Sequence, residues 1–181
     1  MVIRLEALNA KHGDALLLHY KQKAAQRLWI IDGGPAGTWK NFLGPRLEEL
    51  KGTKEELTVD LAMLSHVDED HVTGMLQLAK GLAEAKKGTA PFLDIRRFWH
   101  NSFSDLVGSE KKAKKGLAAL AGMQGAAQAA LASDNPSLPV DNGVLDHRAV
   151  AVLASINQGR ELRDYIETLK LSGNDPFGDT L

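Results

Sequence analysis

Two short apolar runs, each stopped by a polar loop and followed by a helical pattern, constrain this chain more than any other feature. Leu28 to Ile31 ends at Asp32, Gly33, Gly34 and Pro35, and Leu57 to Leu64 ends at the polar stretch Ser65 to His71. An apolar run of this length without alternation reads as a strand buried on both faces, and a tight loop then returns the chain over the sheet as a helix. Helices packed on a sheet follow from that pattern. Two earlier strands, Val2 to Leu8 and Ala15 to Tyr20, separated by a loop at 9–13, precede them, and the fold class is α/β of the α+β type.

The first helix takes Trp39, Phe42, Leu43, Leu47 and Leu50, with Pro45 expected to bend or restart it near Gly44. The second takes Val72, Met75, Leu76, Leu78, Ala79 and Leu82, with Lys86, Lys87 and Gly88 as its stop. Ile95, Phe98 and Trp99 predict one more strand, ending at His100. Beyond it the composition shifts. Residues 111–133 are rich in Ala and Gly and read as a thinly striped helix or helix pair; 134–139 read as a loop, 144–156 and 158–171 as helical, and 172–181 as loop. The expectation is a single domain over 1–181, with a site-bearing half at 1–105 and a mainly helical extension at 106–181.

Composition removes whole classes of function. The 181 residues include no cysteine, so disulfides, a thiolate nucleophile and Cys-based metal sites are excluded, and any metal must be held by His, Asp, Glu or backbone oxygen. Basic and acidic side chains number 22 and 23, which leaves no long-range basic field. The local run Lys111, Lys112, Lys114 and Lys115 could touch phosphates, or be a solvated helix start. The first residues alternate rather than form a signal-peptide core, and no apolar run approaches the roughly 20 residues that span a bilayer. The chain reads as cytoplasmic, with no membrane partner.

His66, Asp68, Asp70 and His71 place four potential metal ligands in six residues, between a strand end and a helix start. Imidazole with carboxylate suits zinc, or manganese or iron where oxygen dominates. The plain alternative is a solvated acidic loop.

The stretch Leu64 to Gly74 resembles the metal-binding signature of the metallo-β-lactamase superfamily, His-x-His-x-Asp-His followed by Gly, with Asp68 standing where the second His is usual. The His-x-Asp-x-Asp-His variant is similar to the branch related to the hydrolase-like domain of bacterial competence proteins. His12 to Leu18, with its Gly-Asp-Ala, and Trp29 to Pro35, with its Ile-Asp-Gly-Gly-Pro, resemble two further motifs of that branch in the same order. The resemblance covers roughly residues 1 to 105. It implies an αββα sandwich of two mixed sheets flanked by helices, with up to two divalent ions at one edge. His66 and Asp68 would hold the first ion and Asp70 and His71 the second, and Asp70 would orient a metal-activated water as nucleophile. Replacing imidazole by Asp68 adds a harder, negative donor to the first site. Asp14 and Asp32, at strand ends, would hydrogen-bond ligand imidazoles or simply hold turns, and His100 could point toward the metal edge or be a strand-end His.

His12, His19 and His147 read as structural, and Gly33, Gly34 and Gly37 lack the Lys and spacing of a phosphate loop. The sequence does not supply a second run of strands with a His-bearing loop, so this half is expected to be missing or to come from a partner chain. Three functions remain open: a metal-dependent hydrolase acting on phosphodiester or nucleic-acid substrates, a catalytically inactive interaction module of the same fold, and an α/β domain holding one structural cation.

Overall fold

The computed structural model describes residues 2–85 and 92–100, the backbone of 138–140, 143–145 and 147–173, and within that last stretch the side chains of 158–171. Its centre is a six-stranded mixed sheet. Strands β1 (Ile3–Ala7), β2 (Leu16–Gln22) and β3 (Ala25–Ile31) form an antiparallel meander, pairing Leu5 with Leu18 and Leu18 with Trp29. The sheet continues in parallel from β3 to β5 (Leu61–Leu64), β7 (Arg97–His100) and the two-residue β10 (Ser172–Gly173). Strands β4 (Leu57–Val59) and β6 (Leu93–Ile95) pair with each other outside this sheet, and β8 (Leu138–Val140) and β9 (Gly143–Leu145) form a separate hairpin.

Among the described residues three α-helices accompany the sheet: α1 (Gly44–Lys51), α2 (Glu69–Ala85) and α3 (His147–Leu169). A π-helical turn, Trp39–Leu43, leads into α1, and Pro45 sits in the first turn of α1, where its missing N–H costs no helical bond; the expected restart near Gly44 is observed. In α2, Val72, Met75, Leu78, Ala79 and Leu82 form the buried stripe that its spacing predicts. They pack with Leu17, Leu28, Ile30, Ala62, Leu64 and Phe98 from one face of the sheet, Leu43 and Leu47 before and in α1, and Leu162, Ile166 and Leu169 from α3. A fully buried Leu of this kind contributes roughly 2 kcal/mol.

The other face is apolar too, but less covered. Leu18, Tyr20, Trp29, Met63 and Trp99 are half-buried there, while Ile3 and Leu5 on the edge strand are exposed. Tyr20 and Trp29 meet edge to face at 5.7 Å, and the Trp29 indole N–H donates to the Tyr20 hydroxyl.

Four expectations require correction. The run Leu57 to Leu64 is two strands, broken at Asp60, and the strand expected around Ile95 to Trp99 is likewise two, broken at Arg96. The helical stretches expected at 144–156 and 158–171 are a single helix, preceded by β9 where helix was expected and by part of β8 where a loop was expected. Ser172 and Gly173, expected in a loop, pair with Arg97 and Phe98. The features expected at 111–133 and the helix stop at 86–88 lie outside the described residues.

Candidate metal centre

Three loops meet at the C-terminal ends of the parallel strands, the side of an open sheet on which ligands are commonly bound. Asp32 follows β3, Ser65 follows β5, and α2 begins immediately afterward, the Asp68 carbonyl accepting the amides of His71 and Val72. The loop after β3 is bolted to the first turns of α2: the Gly33 amide donates to the His71 carbonyl at 2.9 Å and the Gly74 amide to the Gly34 carbonyl at 3.0 Å. This approach admits no side chain, because a Cβ on Gly74 would overlap the Gly33 carbonyl oxygen and one on Gly33 would overlap the Gly74–Met75 backbone. Gly13, with a φ of 79°, lies equally close to the Asp70 backbone and brings Asp14 alongside. Val67 rests on Gly159 of α3, which ties the loop between β5 and α2 to that helix.

Asp32 is buried, 2% exposed, and holds a φ of 57°, a left-handed conformation that Asp tolerates better than most residues. Its carboxylate accepts three bonds: the Ser65 amide at 2.7 Å, the Ser65 hydroxyl at 2.6 Å and His71 Nδ1 at 3.1 Å. The Ser65 hydroxyl also lies 2.8 Å from His66 Nδ1. A serine has one O–H to give, and it goes to the carboxylate, so His66 Nδ1 must donate to Ser65 Oγ. Both imidazoles therefore spend their Nδ1–H on this relay, and in the neutral form each presents an Nε2 lone pair. A carboxylate holding the far nitrogen of a histidine is the arrangement that fixes a metal-binding tautomer.

The donors converge in two groups that share His71. A ring nitrogen from each of His66 and His71 and an oxygen of Asp70 lie within 4.8 Å of one another, and so do donors of Asp14, Asp32 and His71. The His66 and His71 rings meet at a tilt of 46°, with centroids 3.8 Å apart. Asp70 Oδ1 is 3.8 Å from His71 Nε2, close to the separation of about 3.4 Å that two ligands adopt around a tetrahedral zinc. In the second group Asp32 already holds His71 Nδ1, with Asp14 Oδ2 4.0 Å from the same nitrogen. In the first group His71 offers Nε2, which Asp32 does not hold, and these three donors could hold one divalent ion.

Of the four residues expected as ligands, the structure brings three together. Asp68 stands outside both groups: its side chain is 67% exposed and lies 3.6 Å from His66 Nε2, while its backbone starts the helix. His71, expected on a loop, sits buried in the first turn of α2. Asp32 and Asp14, expected beside the site, lie with donor atoms within 4.8 Å of His71. His100 ends β7 opposite Leu64, on the same sheet edge, with its ring 6.2 Å from Phe98, and joins neither donor group. His19 bonds Glu6 at 3.0 Å, His12 is exposed, and the His147 side chain lies outside the described residues, as do Lys111 to Lys115. Gly33 cannot serve a phosphate cradle, since its amide is spent on His71.

Ser65 went unnoticed in the sequence, although its position between a buried strand and His66 was the available signal. Gln158 was missed as well. Its side-chain amide reaches from α3 to the Thr73 hydroxyl at 3.1 Å, and that hydroxyl in turn bonds the Glu69 carbonyl, bracing the first turn of α2. Set against known protein families, curated proteins and solved structures, the chain matches none.

Proposed function

We propose that the chain is a metal-dependent hydrolase of metallo-β-lactamase type, working through a metal-activated water on phosphodiester or nucleic-acid substrates. The observation that carries this reading is the relay His66–Ser65–Asp32–His71, which sets two imidazoles beside the Asp70 carboxylate at the C-terminal ends of the parallel strands. His66, Asp70 and His71 would hold the ion; zinc suits two imidazoles and a carboxylate, and manganese or iron becomes competitive if the exposed carboxylates of Asp14 or Asp68 are recruited. When bound, such an ion supplies Lewis acidity and a water that ionises near neutral pH. Asp32 keeps His71 in the tautomer that can ligate, Ser65 does the same for His66, and Asp70, a third exposed, is placed to accept a proton from an attacking water. The half-buried apolar face around Trp29 and Trp99 is where the second layer of an αββα sandwich would pack, whether from this chain or a partner.

The test is metal uptake by mass spectrometry and titration calorimetry with zinc and manganese, alongside turnover of bis(p-nitrophenyl) phosphate. One ion per chain is expected, with His66→Ala and His71→Ala each weakening its binding about 100-fold or more. His66 is half-exposed, so its replacement tests the site without touching the core. Unchanged affinity in both variants would remove these residues as ligands, and metal uptake without turnover would reduce the reading to a structural cation. The exposed Ile3 and Leu5 favour a second reading, a non-catalytic association module, which absence of metal uptake together with concentration-dependent self-association would select.

A further inference from the structure

A cavity of about 520 Å³ opens at the opposite end of the strands from His71, between the β1–β3 meander and the loop that joins α1 to β4. Its distance from the metal residues is set by β3: from Ile31 back to Gln26, on the cavity wall, is about 17 Å of extended chain. The size lies within the range of small-molecule sites, roughly 300–1,000 Å³. Its floor is apolar, with Leu28, Leu50 and Leu57 contributing. Its walls are basic.

The charges around it do not cancel. Arg4 is answered by Glu6, which Arg46 also engages, and Arg46 is balanced in turn by Glu49. Arg27 shares one carboxylate, Asp60, with Arg96, so that trio keeps one positive charge, and the buried Arg27 Nε has no acceptor. Lys21 and Lys54 line the cavity with no ion-pair partner among the described residues, while Glu56 supplies a single opposing charge. Over these groups the excess is two positive charges, on a chain whose formal net charge is −1. Two lysines on flexible stems beside apolar lining, with Arg27 also on the wall, match a dianionic head on a small apolar body.

We propose that this cavity binds a small phosphomonoester carrying an apolar or aromatic group, with Lys21 and Lys54 as the principal contacts to the phosphate. A phosphomonoester carries close to two negative charges at neutral pH, its second pKa being near 6, which matches the local excess. The site is separate from the metal centre and does not depend on it.

The experiment titrates the full chain with phenyl phosphate, inorganic phosphate and phenol, by calorimetry and by amide chemical shifts, in the presence of EDTA so that no metal contributes. Saturable binding of phenyl phosphate is expected, with shifts centred on Lys21, Gln26, Lys54 and Thr58, inorganic phosphate weaker by about tenfold and phenol without effect. Lys21→Gln with Lys54→Gln should weaken phenyl phosphate at least tenfold while the circular dichroism and the melting temperature stay as in the parent. His71→Ala should leave it unchanged. Failure of phenyl phosphate to bind at millimolar concentration overturns the proposal, and so does equal binding of phenol, which would make the cavity merely apolar. Retained affinity in the double lysine variant, or loss in His71→Ala, would place the anion elsewhere and overturn it as well. Because metal is absent throughout, failure here leaves the hydrolase reading standing, and failure of metal uptake leaves this one standing.

Discussion

The parallel strands β3 and β5 are flanked at their two ends by a buried aspartate each, and the two are treated in opposite ways. At the N-terminal end Asp60, 5% exposed, is met by the guanidinium groups of Arg27 at 2.6 Å and Arg96 at 3.2 Å. At the C-terminal end Asp32, 2% exposed, has no Lys or Arg among the described residues and is met by a serine and a histidine. A buried carboxylate without compensation is costly, so each must be answered. Asp60 is answered by fixed cations and is closed; Asp32 passes its charge through hydrogen bonds to two imidazoles whose other nitrogens are left open. The same side chain thus serves as a structural anchor at one end and, on the proposed reading, as the base of a relay to two candidate ligands at the other.

The largest expected effect breaks the site end alone. Gly74→Ala places a Cβ on the Gly33 carbonyl, so the loop after β3 must separate from α2, and a loss of about 3 kcal/mol or more is expected in chemical denaturation, together with loss of metal binding. Gly81→Ala in the same helix meets nothing within 4 Å and should instead raise stability by about 0.5–1 kcal/mol. Similar costs for both would mean that the close approach of Gly33 and Gly74 is not what holds this end together.

The second sharpens the contrast between the aspartates. Asp60→Asn leaves Arg27 and Arg96 facing each other without a counter-charge, and about 2 kcal/mol of destabilisation is expected with no change in metal affinity. Asp32→Asn keeps the shape and the left-handed backbone, so under about 1 kcal/mol is expected in metal-free protein. Its amide would donate to His71 Nδ1, moving the imidazole proton to Nε2, and metal affinity should fall about 10- to 100-fold. Paired unfolding and calorimetry of the two variants decide the matter: equal stability losses, or equal affinities, would erase the difference between the two ends.

How much of this was legible follows from how local each signal is. The helix stripe of α2, the strand before it and the convergence of His66, Asp70 and His71 are written within about 25 consecutive residues, where spacing alone sets the geometry. The break at Asp60 is not local. It exists because the Asp60 amide donates to Leu28, the Arg96 amide donates to Val59, and the Asp60 carboxylate draws two arginines from 33 and 36 residues away. An apolar run with one Asp inside reads as a single strand until those partners are known. Ser65 is a middle case, local to His66 but meaningful only once Asp32, from another strand, arrives beneath it.

The smallest effect belongs to a carboxylate in an intermediate situation, Glu6 on β1, which is partly buried and answered by Arg46 from α1 and by His19. The hydrogen bond from Arg46 holds the Glu6 carboxyl below its ordinary value of 4.5, against the opposing pull of burial, and the same pair raises the Arg46 guanidinium. A carboxyl whose pKa is depressed in the folded protein binds protons less readily there than in the unfolded chain. Its stabilisation is therefore complete above the unfolded pKa and is lost as pH falls through the folded one. Glu6→Gln should then cost about 0.5–1 kcal/mol at pH 7, and the gap between parent and variant should close only below about pH 4.5. Urea denaturation of both proteins from pH 7 to pH 3 measures this directly. A gap that stays constant across that range would show that Gln at this position loses packing rather than charge, and Glu6 would then belong with neither aspartate.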